Sequence, residues 1–272
     1  MTPRTDPASE PLAGTFPVPA ASATPLGAVI RAMVLLRLRA LLRPKLFLRF
    51  AGFAVGIGAV TWFAVPPANE RQFAQWSVEV FLLRILPLLC LVTGGSALRD
   101  EIRAFTIEYL WTRPARKADL VIGAYAGALA LTLTQGVVYV LVIHATSALH
   151  GFPGAWSYLP GSLLATVGGV FAFTALAHAL GVLTGKYLVI GVLYGALVEI
   201  GLSRLPTRLN NVSVTHHLQT LIESAGTGGE PVRLAGLLSG ALGCALIAAA
   251  GLAVAAVLFT MKTYRIGDEK ET

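Results

Sequence analysis

Long apolar runs separated by short polar stretches recur along the chain. Six of them, at residues 47–65, about 78–98, 120–148, 159–183, 188–205 and 232–261, are long enough to be membrane-spanning helices. Each holds about the 20 apolar residues needed to cross a hydrocarbon slab about 30 Å thick. None alternates with period two, which excludes the strands of a barrel. Pro66 and Pro67 end the first span, and a short polar loop with Asn69, Glu70, Arg71 and Gln72 follows it. The predicted fold is all-α: a polytopic membrane protein of six transmembrane helices, with an N-terminal interfacial helix and a short helix in the connection after the second span.

The pattern differs before the first span. Residues 1–25 are rich in Pro, Ala, Ser and Thr and read as a disordered tail. The first long apolar run comes too late for a secretory signal. From 26 to 45, Arg31, Arg37, Arg39, Arg43 and Lys45 alternate with aliphatic residues. That stretch is too charged to span and suits a helix in the membrane interface, its Arg stems reaching anionic headgroups. Pro44 marks a break. The transmembrane domain is then 46–265, with a polar extracytoplasmic loop at 206–231 and a tail at 266–272.

Composition agrees with a membrane protein: 55% of the 272 residues are apolar and 13% charged, against about 25% charged in a soluble domain, and the mean hydropathy is +0.71. The net charge of +7 raises the question of nucleic acid, but the location of the charge answers it. The N-terminal segment, the connection after the second span, the tight turn at Lys186 and the C-terminal tail hold 16 of the 21 Lys and Arg residues. The positive-inside rule puts these segments in the cytoplasm, with both termini, in a plasma (inner) membrane. No nucleic-acid partner is needed; membrane lipids are.

The connection after the second span is the densest charged island in the chain. Between Gly94 and Tyr125 stand Arg99, Asp100, Glu101, Arg103, Glu108, Arg113, Arg116, Lys117 and Asp119. Apolar residues keep a helical rhythm among them: Ile102, Phe105, Tyr109 and Leu110 fall at i, i+3, i+7 and i+8. A short helix over about 100–113 is predicted, acidic at its start and basic at its end as the helix dipole favours, and stopped by Pro114. Its apolar face needs a receiving surface, either a protein groove or lipid headgroups.

The order of features in this island resembles the first cytoplasmic loop of ABC-2 type transporter permeases. The residues that carry the resemblance are Glu101, Thr106, Glu108, Leu110, Pro114 and Arg116, between the second and third of six spans; Phe105 stands where that family usually has Gly. The N-terminal amphipathic helix and the stretch after the fifth span, VEIGLSRLPTRLNNVSVTHHL, are also similar to that family. The resemblance implies a permease subunit of an ABC transporter. It would pair with a second permease subunit and with an ATP-binding cassette subunit, and would move a solute, outward, by alternating access. Glu101, Ile102, Phe105, Thr106, Glu108, Tyr109, Leu110, Pro114 and Arg116 would form the coupling interface. ATP and Mg would be held by the partner subunit, and this chain would bind no cofactor.

The remaining chemistry is sparse. Gly181-Val-Leu-Thr-Gly185-Lys186-Tyr187 has three residues between its glycines where a P-loop has four, and a Tyr where Mg²⁺ needs a hydroxyl of Ser or Thr. Gly94-Gly-Ser96-Ala97 misses the last glycine of a Gly-x-Ser-Gly protease motif. His144 and His178 are isolated within spans, and the adjacent His216 and His217 point apart on a helix. Cys90 and Cys244 lie in apolar runs and read as packing residues. No enzyme is expected. Arg84 and Glu199 are ionisable groups inside spans; such groups usually have partners or face water. They read either as a gate or substrate-facing pair, or as residues that reach the outer interface. Four GxxxG pairs, Gly52/Gly56, Gly123/Gly127, Gly191/Gly195 and Gly236/Gly240, are compatible with close helix packing. The apolar spans lean towards a lipidic or amphiphilic solute. An ion-coupled secondary carrier or a non-transporting scaffold or sensor is the alternative class.

Overall fold

The computed structural model describes residues 25–66, 69–103, 116–201, 208–226 and 231–261, and leaves the side chains of 100–103, of Ile200 and of 208–209 undescribed. Among them every regular element is helical. In chain order these are α1 (Leu26–Leu41), α2 (Pro44–Ala64), α3 (Glu70–Ala74), α4 (Leu86–Arg103), α5 (Lys117–Leu149), α6 (Leu159–Leu183), α7 (Tyr187–Tyr194), α8 (Val214–Ser224) and α9 (Leu234–Met261). A π-helical stretch, Gln75–Ile85, joins α3 to α4 without a break, and a second, Gly195–Gly201, extends α7.

Five helices are long and apolar enough to cross a membrane: Pro44–Ala64, Glu70–Arg99, Lys117–Leu149, Pro153–Leu183 and Leu234–Met261. They coincide with five of the six expected spans. The second begins earlier than expected, because the Asn69 side chain accepts a hydrogen bond from the Gln72 amide at 3.0 Å and so caps a helix where the sequence reads as loop. The expected span at 188–205 is present as a shorter apolar helix, Tyr187–Glu199, and residues 202–207 lie outside the described ones. Within 206–231, read above as polar loop, lies α8. Its Val214, Leu218 and Leu221 are buried at i, i+4 and i+7, one stripe of a helix.

α6 is the centre of the bundle. It packs against α4, α5, α8 and α9, and 61% of its most apolar window is buried, against 11% for α2. Lipid tails are as apolar as leucine, so helices gain by close backbone approach at small residues. The α4–α6 crossing illustrates this. A Cβ on Gly94 would stand 2.8 Å from the Thr174 carbonyl oxygen, and one on Gly181 would run into the Gly95 carbonyl. The stretch that fails as a protease motif is therefore a packing surface.

The glycine pairs divide by what they meet. Gly123 and Gly127 receive α1: a Cβ on either would stand 3.0 Å from Val29 or from the Met33 carbonyl. Arg37 of α1 donates to the Ala97 carbonyl at 2.7 Å, while Arg31 and Arg39 remain exposed. Gly236 and Gly240 receive Ser224 and Leu221 of α8, and Gly191 meets Leu91, whereas Gly52, Gly56 and Gly195 face open space.

At one end of the bundle Leu98, Val121, Val182, Ala255 and Phe259 form a cluster. At the other, Trp62 stacks on His150 with centroids 4.1 Å apart. There Phe73 meets the rings of His144, Phe152 and Tyr158, and Tyr158 donates to Glu70.

Gly181→Leu forces the α4–α6 crossing apart, an overpacking change worth about 1–3 kcal/mol. The detergent-solubilised protein is expected to melt at a lower temperature in fluorescence-detected size exclusion. Gly56→Leu, which meets open space, is expected to melt with the wild type. Equal midpoints for the two variants contradict a backbone-to-backbone crossing.

Candidate functional site

The charged island occupies the end of the bundle that carries the Leu98 cluster. The backbone of Asp100–Arg103 continues α4, so Glu101 and Ile102 belong to its last turn. Phe105, Thr106, Glu108, Tyr109, Leu110 and Pro114, the core of the expected coupling interface, lie outside the described residues. Arg116 is exposed and precedes α5. Its carbonyl accepts from the Asp119 amide at 2.9 Å, and Asp119 sits in the first turn, where a negative charge complements the dipole. Leu98 packs with Val121 and Ala124, which holds the end of α4 against the start of α5. The described stretches on either side of 104–115, the end of α4 and the start of α5, are therefore neighbours. Arg99 lies against Gly185, in the turn between α6 and α7, so Arg99, Arg116, Lys117 and Lys186 gather at this end.

Arg84 and Glu199 come together on a different feature, a cavity of about 250 Å³ between α4, α6 and the α7 segment. Arg84 and Glu199 both line it, with Leu83, Leu91, Phe173, Leu180 and Val192 among its apolar walls. Each stands in a π-helical stretch, Arg84 in Gln75–Ile85 and Glu199 in Gly195–Gly201. Such widened turns re-aim side chains and often occur at functional positions.

Their environments differ. Glu199 is 4% exposed, and its carboxylate accepts at least four hydrogen bonds. Four of the donors are the Thr215 amide at 2.8 Å, the Val214 amide at 3.2 Å, the Ser213 hydroxyl at 2.7 Å and the Tyr194 hydroxyl at 3.0 Å. The first amides of a helix have no partner within it, and a buried one needs an acceptor. Ser213, at the N-cap position of α8, forms no cap bond of its own; it donates to Glu199 instead. A carboxylate from the preceding segment thus caps α8, in the favourable sense of the helix dipole. The capping role adds to the alternatives drawn from the sequence, gate or outer-interface group, and was not foreseen there. The sequence signal for it was Ser213 before the amphipathic VTHHLQTLIES, but the partner 14 positions earlier is a long-range fact that periodicity does not carry.

Arg84 is exposed, about midway along the continuous helix Glu70–Arg99, and makes no hydrogen bond or ion pair among the described residues.

His144 and His178, inside spans, and His217, on α8, each have a backbone carbonyl as partner. His144 Nδ1 meets the Val140 carbonyl at 2.8 Å, His178 Nδ1 meets the Gly94 carbonyl at 3.3 Å, and His217 Nε2 meets the Asn211 carbonyl at 3.0 Å. Among the described residues no group of three or more His, Cys, Asp or Glu is placed to hold a metal ion. Neither a scan against protein-family models nor a search of curated proteins finds a match for this chain.

Glu199→Ala leaves the α8 amides and two hydroxyls without their acceptor in a buried setting, where each unmet group costs about 1–3 kcal/mol. Hydrogen exchange followed by mass spectrometry is expected to show amides of 213–224 exchanging much faster in this variant, with the exposed Glu223→Gln unchanged. Wild-type protection of α8 in Glu199→Ala contradicts the capping role.

Proposed function

We propose that this chain is the permease subunit of an ABC-2 type transporter, an exporter that moves a solute by alternating access while a separate ATP-binding subunit hydrolyses ATP. On this reading the chain has six spans, with the Tyr187–Glu199 helix as the membrane part of the fifth. α1 rests in the interface, and both termini are in the cytoplasm of a cell with the protein in its inner membrane. The stretch from about 100 to 113, which holds Glu101 and Ile102 and is ended by Pro114 before Arg116, is the coupling helix. Phe105, Tyr109 and Leu110 enter a groove on the ATPase, and Glu101, Glu108 and Arg116 stand at its rim, where charge sets register and association rate more than affinity. ATP and Mg reside on that partner, and a second permease subunit completes the pathway.

The observation that carries this proposal is the fixed stem of the island. Leu98, Val121 and Ala124 clamp the two ends of 104–115 together beside a gathering of basic residues, so a push on the island is delivered into α4 and α5 as one unit. α4 in turn crosses α6 with backbone contact at Gly94 and Gly181, and that rigid crossing leads to the cavity that Arg84 and Glu199 line. The carrier alternative predicts carboxylates on broken helices near mid-membrane. Glu199 is spent on capping α8, which favours the ABC reading.

The chain purified from its native membrane is expected to bring down a soluble ATP-binding subunit, identified by mass spectrometry and by ATP hydrolysis. Phe105→Asp or Leu110→Asp places a charge in the apolar face and is expected to reduce that recovery by at least about tenfold, equivalent to about 1.4 kcal/mol. Full recovery in both variants, or an ATPase absent from every preparation, contradicts the assignment.

A further inference from the structure

We infer that the cavity between α4, α6 and the α7 segment binds one long-chain carboxylate amphiphile, its headgroup on Arg84 and its tail between Leu91, Leu180 and Gly191. The inference deepens the transport proposal by naming the class of solute.

Three observations converge. The first is an exposed guanidinium midway along a membrane-crossing helix, with no hydrogen bond or ion pair among the described residues. A charge at such depth is costly unless it has a partner, water or a polar ligand. Glu199, the acidic residue nearest in the cavity wall, already accepts from four donors. The second is the shape and lining of the cavity. At about 250 Å³ it falls below the roughly 300–1,000 Å³ of pockets for drug-sized ligands, so it suits one hydrocarbon tail. Apart from Arg84, Glu199 and Tyr194, every described residue lining it is apolar, and Tyr194 is held by Glu199. The third is direction. Arg84 and Glu199 mark one end; Leu91, Leu180 and Gly191 mark the end towards Lys186. The rim is open, since Arg84, Leu88 and Val192 are all exposed, so an amphiphile enters sideways from the bilayer.

The charge selects the headgroup. One guanidinium balances one negative charge, and among the described residues no second Lys or Arg lines the cavity. A carboxylate matches the planar fork with two parallel hydrogen bonds. A phosphate monoester carries up to two charges and exceeds this single cation. A two-chain phospholipid brings a second tail for which the cavity has no room.

The test uses the full purified chain in phosphatidylcholine nanodiscs, without any ATPase, so that loss of binding and loss of coupling are told apart. Radiolabelled palmitate is measured by scintillation proximity, with hexadecanol and hexadecyl phosphate as competitors. Saturable binding is expected, weakened at least tenfold by Arg84→Gln and less by Arg84→Lys, which keeps the charge but not the fork. Gly195→Leu, whose Cβ meets open space, is expected to weaken binding by filling the cavity while leaving the thermal midpoint at the wild-type value. Hexadecanol is expected to compete poorly. No saturable binding by the wild type, unchanged affinity in a folded Arg84→Gln or Arg84→Lys chain, or equal competition by hexadecanol overturns the site. Tighter competition by hexadecyl phosphate than by palmitate overturns the choice of carboxylate.

Discussion

A backbone amide buried away from water must find its acceptor within the protein. At the start of α8 that acceptor is the Glu199 carboxylate, which receives the Val214 and Thr215 amides and two hydroxyls. With those amides satisfied, α8 can fold back into the bundle. Leu218 then rests on Gly169, and Leu221 on Gly168 and Gly240. Because α8 fills the space beside α6 and α9, α7 is left at the margin, where none of its residues is buried. The cavity that Arg84 lines is the gap between that marginal helix and the tight α4–α6 crossing.

The helices divide accordingly into a fixed part and a loose part. α4, α5, α6 and α9 share the Leu98–Phe259 cluster and the glycine crossings, and close-packed interiors of this kind shift between discrete arrangements more readily than they deform continuously. α2 and α7 have little buried surface of their own. A force arriving through 104–115 would move the fixed part, and the cavity lies along its seam with α7. On the proposed reading, that arrangement would link the island to the apolar site without requiring a continuous polar path.

Much of this was legible in the residues because lipid imposes simple rules. Five spans follow from the length of apolar runs, and the breaks at Pro44 and after Ala64 follow from proline. What periodicity missed was set by contacts distant in sequence. The amphipathic stripe Val214, Leu218, Leu221 was present in the sequence, but its polar neighbours His216, His217 and Gln219 made the segment read as loop. Only the small faces of α6 and α9 reveal where the stripe goes. The Asn69 cap lengthened the second span past the point where Glu70, Arg71 and Gln72 suggested a loop. GxxxG spacing was uninformative pair by pair: Gly123/Gly127 and Gly236/Gly240 receive neighbours, and Gly52/Gly56 do not. Arg84 and Glu199 were visible as unusual residues, but their shared cavity and unequal roles depend on how α7 lies beside α4.

The central claim is that the island between α4 and α5 is received by a protein and not by headgroups. A photo-reactive benzoylphenylalanine at position 105 replaces one aromatic residue with another and reports its neighbour directly. Irradiated in native membranes, it is predicted to give an adduct with a soluble ATP-binding subunit, lost when that subunit is absent. Adducts with lipid alone would contradict the claim.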